Sequence, residues 1–404
     1  MKRISLLYFA EKRIMRYSGY FVAGFLALVP ALWAGCNKLD SADAETPVPE
    51  ETAAFVSLPE VARLLSAVSL EAEHLEEVHR AALVSAGNGY DEEYRMKDLF
   101  AAPGTGVGEE VSTKVADTWR HPLRDALREA FLSTKASDGE GSAWLDSLAL
   151  SDVQIYWPGS DDWDGSTLPV ITYDPGEGAT RNEGFAVQPD GTVKKVMVDE
   201  QMVLERPVWV INRNSDAEYK SLELLRREDP SWGSGGGDIL VKSGEDTELK
   251  SLVLRSLKAR RQFDSWFAGA SEFFVKIGAI ENFVASTEAE LRLYDPTITD
   301  FMIVVRRKQM GEEVPFNAVL VSEWSRQLTS CALMIIEDDG GTRNTWKCSA
   351  VVKVESKSYG VELELPLYSR DDIVWRGSLS RRYLEKYSGM ARQYGDVDLV
   401  MELM

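Results

Sequence analysis

Residues 331–354, CALMIIEDDGGTRNTWKCSAVVKV, place two apolar-rich runs on either side of Asp339-Gly340, and this pattern makes the C-terminal part of the chain a β structure. Asp-Gly suits a two-residue hairpin turn, because both central residues need positive φ. A turn there sets 338 opposite 341, and by the same count Cys331 opposite Cys348. Pairs alternate outward between hydrogen-bonded and non-hydrogen-bonded, which makes 331/348 the closer, non-hydrogen-bonded kind, a spacing that accepts a disulfide. Leu333, Ile335, Trp346, Ala350, Val352 and Val354 share the cysteines' face, so that face is the expected core. The expectation is a Cys331–Cys348 bond worth about 3 kcal/mol by loop closure. Two reduced core cysteines side by side are the alternative, and a longer turn through Gly341 to Asn344 would break the register.

Outward from this hairpin, short strand-like runs recur: ELRLY, FMIVVRRK, FNAVLVSEW, YGVELELPL, DIVWRG and DVDLVMEL, with a short helix at Arg381 to Tyr387. Such spacing predicts an antiparallel β-sandwich over residues 289–404. Residues 151–288 read as a mixed β/α region. It has strands VQIYW, LPVITY, GFAVQ, TVKKVMV and RPVWVIN, a hairpin at Asp190-Gly191, and a helical passage from Thr247 to Val284. The basic cluster Lys258, Arg260 and Arg261 in that passage is expected to pair internally in so acidic a chain. Residues 56–150 read as helical. Ser57-Leu-Pro-Glu60 supplies a capping box, Val61, Leu64, Leu65, Val68, Leu75 and Val78 share a face, Gly87-Asn88-Gly89 ends the helix, and a second helix runs from about Lys114 to Leu132. The fold class is therefore α+β.

Tyr156 to Gly165, in the first β turn, gathers the most suggestive side chains. Asp161, Asp162 and Asp164 offer hard oxygen ligands to calcium, and Tyr156, Trp157 and Trp163 offer faces for a sugar ring. The plainer reading is a solvated acidic tip with its tryptophans packed on the sheet. It is not an EF-hand loop, because Ile171 stands where the bidentate Glu is required.

At the other end, Arg13 and Arg16 precede an apolar run, Phe21 to Trp33, and then Ala34, Gly35 and Cys36. This has the order of a secretory signal, and with Pro30 inside it is short for a membrane span of ~20 residues. The ending resembles a bacterial lipobox, with Trp33 where the pattern has Leu. The resemblance implies cleavage before Cys36, acylation of that residue, and a cell-envelope location on the outer membrane, with its face left open. Starting at Met15 would give a shorter signal of ordinary form. Residues 36–55, small, acidic and proline-bearing, read as a tether, and their acidity resembles the export signal of Bacteroidetes surface lipoproteins. The layout of residues 56–215, including YDEEYRMKDLFAAPGTGVG, is similar to Bacteroidetes lipoproteins to which no activity attaches.

Net charge is −20, and loss of residues 1–35, with five basic residues and one acidic one, takes it to −24. Such a surface disfavours nucleic acid and anionic lipid, so membrane attachment falls to the acyl chains. HExxH, GxSxG, SxxK, CxxC and Walker patterns are all missing. The glycine-rich stretches at 103–108 and 231–238 fit neither a dinucleotide fingerprint nor a phosphate loop. Only His74, His79 and His121 are present, and the spacing of the first two, five residues apart, makes a poor metal pair. The expected function is binding of a glycan or an envelope protein without catalysis, with no cofactor unless calcium at the turn. The alternative is a glycan hydrolase using loop carboxylates such as Asp161 or Asp164.

Overall fold

Strand β6, Val208–Arg213, is VWVINR, an apolar run without alternation, and the fold explains why: it is buried on both faces. Trp209 and Ile211 face the helices, while Val208 and Val210 face a segment carrying Trp266 and Phe267. The computed structural model describes residues 56–101, 121–134, 141–176, 178–188, 191–214, 219–228 and 249–404. Cys36, the tether, both glycine-rich stretches and Lys114 to Arg120 lie outside the described residues.

The first part of the chain runs α1 (Leu58–Ala67), α2 (Ala72–Gly87), β1 (Glu93–Arg95), α3 (Met96–Leu99), α4 (Pro122–Thr134), α5 (Gly141–Leu150), β2 (Val153–Tyr156), β3 (Val170–Tyr173), β4 (Arg181–Val187), β5 (Val193–Asp199), α6 (Glu200–Glu205), β6 and α7 (Leu222–Glu228). Its six strands form one sheet in the order β1-β2-β6-β3-β4-β5, antiparallel except for the parallel pair β3 and β6. The hairpin read at 190–191 is present: Val187 stands opposite Val193, and Gly191 has φ +80°. Helices α1, α2 and α4 cover one face through Val61, Leu65, Val78 and Leu127. The helical run read as continuous breaks at Val68, whose ψ of 132° is extended. Ser57 caps α1 through its carbonyl alone, and the capping box forms instead at α2, where the Glu71 N–H donates to His74 Nδ1 at 2.9 Å.

The second part comprises β7 (Lys250–Ala259), β8 (Ser271–Ala279), α8 (Glu288–Leu291), β9 (Thr297–Val305), β10 (Val314–Trp324), β11 (Leu328–Glu337), β12 (Arg343–Val354), β13 (Lys357–Tyr368), β14 (Asp372–Ser380), α9 (Arg381–Lys386), β15 (Met390–Tyr394) and β16 (Val397–Leu403). One sheet has the order β10-β7-β16-β15, the other β13-β12-β11-β8-β9 with β14 on β11. Leu252, Leu254 and Leu399 of the first meet Phe273, Leu333 and Ile335 of the second in one core, so the architecture is α+β with a β-sandwich-like C-terminal body. That body begins at Lys250, ahead of residue 289. Among the described residues no helix is long and apolar enough to cross a membrane.

Other sequence expectations do not hold in the β-rich part of the chain. The helical passage at 247–284 is two strands: Ser256 pairs with Val400 and Leu254 with Met401, so Arg255 is a bulge, and the resulting Leu252, Leu254, Leu257 spacing mixes periods of two and three. ELRLY is not a strand but the end of α8, whose Thr287 Oγ1 accepts the Glu290 N–H. Nor do β11 and β12 form the long hairpin read at 331–354. β14 runs along one edge of β11 from Ser330 to Glu337, while β8 takes Ala332–Glu337 on the other. Only Leu328 and Ser330 are left for β12, which pairs along its whole length with β13. Cys331 therefore stands opposite Leu379 and Cys348 opposite Leu363, and both thiols are free. Burial pushes them up to about 12 for Cys331 and about 11 for Cys348. Of the basic cluster, the two arginines pair internally, Arg260 with Asp398 and Arg261 with Asp396, both at 2.8 Å.

Candidate functional site

The turn after β2 owes its shape to a carboxylate that the sequence did not single out. Glu92 accepts the N–H groups of Gly159 and Ser160 at 2.9 and 3.0 Å, together with the Ser160 hydroxyl. Gly159 meets the turn's need for φ +70°. Asp161 and Asp162 do converge on a cation, and that cation is Lys308, with Nζ 2.5 and 2.6 Å from their oxygens. Asp164 turns away and accepts from Ser166, from the Thr167 N–H and from the Thr167 hydroxyl. The Thr167 bonds hold its carboxyl down at about 2, and the Lys308 ammonium lowers that of Asp161. Neither is a proton donor near neutral pH. Tyr156 and Trp157 are 1% exposed, so their faces are closed to a ligand. Trp157 and Trp163 pack on His79 with ring centroids 5.6 and 5.0 Å from it, and Tyr156 lies on the opposite face with Trp266 and Phe267.

The histidines are structural. His74 closes the α2 cap and His79 packs on the tryptophans. His121 sits beneath the start of α4, where Glu77 gathers the Tyr94 hydroxyl at 2.7 Å, His121 Nδ1 at 3.2 Å and the Leu123 N–H at 2.8 Å.

The C-terminal body holds a groove of about 630 Å³, within the range of small-ligand sites. It forms where Ser330 of β11 is paired with both Val351 of β12 and Ser380 of β14. Trp375 of β14 and Tyr383 of α9 supply its aromatic surface, with the buried Tyr394 of β15 packed on Trp375, and Thr329, Ser330, Ser378, Ser380 and Gln393 supply its polar groups. Local backbone features set the indole. Ile335 pairs with Trp375 and Ile336 with Ile373, so Val374 is a bulge that re-aims the next side chain. Gly377 leaves the strand bare for the ring: a Cβ there would come within 2.8 Å of it. Trp375 meets Tyr394 edge to face at 5.0 Å, and the Tyr394 and Tyr383 hydroxyls lie 3.4 Å apart. The lining offers flat rings and hydroxyl or amide hydrogen bonds, with no carboxylate or imidazole to move a proton. None of these residues stands out in the sequence, because they come from separated stretches and none belongs to a motif.

Three carboxylates converge elsewhere, Asp264, Glu272 and Glu337, each offering an oxygen within 4.8 Å of the others. Scans against protein-family models, curated proteins and solved structures give no match to this chain.

Proposed function

We propose that this chain is a lipid-anchored cell-envelope protein that binds a neutral, sugar-like ligand without chemically altering it. The observation that carries the reading is the lining of the groove. Stacking on Trp375 and Tyr383 suits the apolar face of a sugar ring, and Thr329, Ser378, Ser380 and Gln393 suit its hydroxyls. The anchor is the lipid expected on Cys36, and the net charge of −20 argues for a neutral ligand over an anionic one.

The binding claim is tested by melting the protein against a panel of neutral glycans. A specific binder raises Tm by mass action, by about 2.7 kcal/mol of stability at a hundredfold excess over Kd. Absence of any shift across the panel would count against a glycan and for a protein partner. The anchor is tested separately by metabolic labelling with a fatty-acid precursor, which should mark the wild type and leave Cys36→Ala unmarked. An unlabelled wild type would remove the lipid from the account.

A further inference from the structure

We infer that Asp264, Glu272 and Glu337 form a binding site for a hard divalent cation of the calcium class, separate from both the groove and the acidic turn. The three come from different places: Asp264 from the segment after β7, Glu272 from the start of β8 and Glu337 from the end of β11. Strand pairing brings the last two together, since Glu337 stands opposite Phe273, the neighbour of Glu272, and the Asp338 N–H donates to the Glu272 carbonyl at 3.1 Å.

Two independent observations point to a ligand. The first is spacing: oxygens around calcium lie about 2.3–2.6 Å from the ion, so any two of them are at most about 5 Å apart, and these three fall within 4.8 Å of one another. The second is Glu337 itself. Its side chain is 0% exposed, and neither carboxylate oxygen has a hydrogen-bond partner. Asp264 Oδ2 is likewise buried without a partner. Buried carboxylates are ordinarily hydrogen-bonded, ion-paired or bound to metal, and this one faces other carboxylates.

The surrounding field favours a cation. Asp264, Asp339 and Asp372 act on Glu337, and Asp174 and Asp338 act on Asp264. The guanidinium at hand, Arg307, is engaged elsewhere through its terminal nitrogens, with the Asp264 carbonyl and with Glu200, both at 3.0 Å. All-carboxylate donors suit calcium, magnesium or manganese and not the softer metals that prefer histidine or cysteine. A cation here would fasten the 260–270 segment, which carries Trp266 and Phe267 against the first sheet, to β8 and β11.

The only other occupant that settles Glu337 is a proton shared with Asp264, and the experiment separates the two. The full-length protein, stripped with chelator, is titrated calorimetrically with calcium, magnesium and manganese chlorides at neutral pH. The expected result is one equivalent of at least one cation bound, affinity at least tenfold weaker in Glu337→Gln and in Glu272→Gln, and no change in Asp161→Asn. Glu272 is only half-buried, so its variant serves if Glu337→Gln does not fold. A wild type that binds none of the three cations would overturn the proposal, more firmly still if Glu337→Gln melts higher than the wild type. Binding that survives both Gln variants and disappears in Asp161→Asn would also overturn it.

Discussion

The Glu77 carboxylate on α2 receives the Leu123 N–H at 2.8 Å, so a side chain 46 residues away caps the start of α4. Its other oxygen takes the Tyr94 hydroxyl at 2.7 Å, and the whole group is 2% exposed. Removing it would orphan the Leu123 N–H and leave the Tyr94 hydroxyl and His121 Nδ1, 2.8 Å apart, only each other. Glu77→Ala should cost about 3 kcal/mol, and Glu77→Gln less, since the amide oxygen still accepts one bond. Chemical denaturation at constant m-value measures both. A cost below about 1 kcal/mol for the Ala variant would mean the cap contributes little.

Asp91 gives stability a pH dependence. Burial, followed by the charge of Glu92, raises its carboxyl to about 7 despite N–H donors from Glu92 and Ala270. A carboxyl whose folded pKa lies above its unfolded value near 3.8 contributes fully below that value and loses the contribution as pH rises through about 7. Stability should therefore fall between pH 4 and 8 by an amount on the order of 4 kcal/mol from this group. Asp91→Asn should flatten that slope while lowering stability at pH 5, because its NH2 must face one of the two backbone donors. Denaturation at pH 5 and at pH 8 tests this, and an unchanged slope in the variant would assign the dependence to other groups.

Free cysteines make a chemical prediction. Residues 37–404 should show two thiols to a disulfide-exchange reagent in denaturant and migrate identically with and without reductant. In the native state Cys331 should react far more slowly than an exposed thiol, because it is 0% exposed and burial raises it to about 12. Fewer than two thiols in denaturant would restore the Cys331–Cys348 bond.

Much of the fold was legible in the sequence, and the misses have physical causes. Short apolar and β-branched runs found β2 to β6, β9 to β14 and β16, and the turn residues found the β4–β5 hairpin, where local chemistry and pairing agree. The Asp339-Gly340 turn failed because β11 is a central strand: Ala332 to Ile336 are all buried, and β8 and β14 occupy the edges that the local hairpin would have used. The bulge at Arg255 disguised β7 as helix. In the 156–165 turn the plainer reading is the one the geometry supports, since Lys308, 146 residues beyond Asp162, pairs with both aspartates and no local pattern announces it. The groove was illegible for the same reason. Trp375, Tyr383 and Tyr394 meet only through the pairing of β14 with β11 and the placement of α9 and β15.

The most direct test of the central claim is a calorimetric titration of wild type and Trp375→Ala with whichever neutral glycan raises the melting temperature. Loss of a stacked aromatic face should weaken binding at least tenfold, about 1.4 kcal/mol, while the half-buried position of Trp375 lets the fold survive. Gly377→Ala, which crowds the indole without removing it, should give a smaller loss in the same direction. Equal affinity in wild type and Trp375→Ala would contradict the account and place the ligand elsewhere on the molecule.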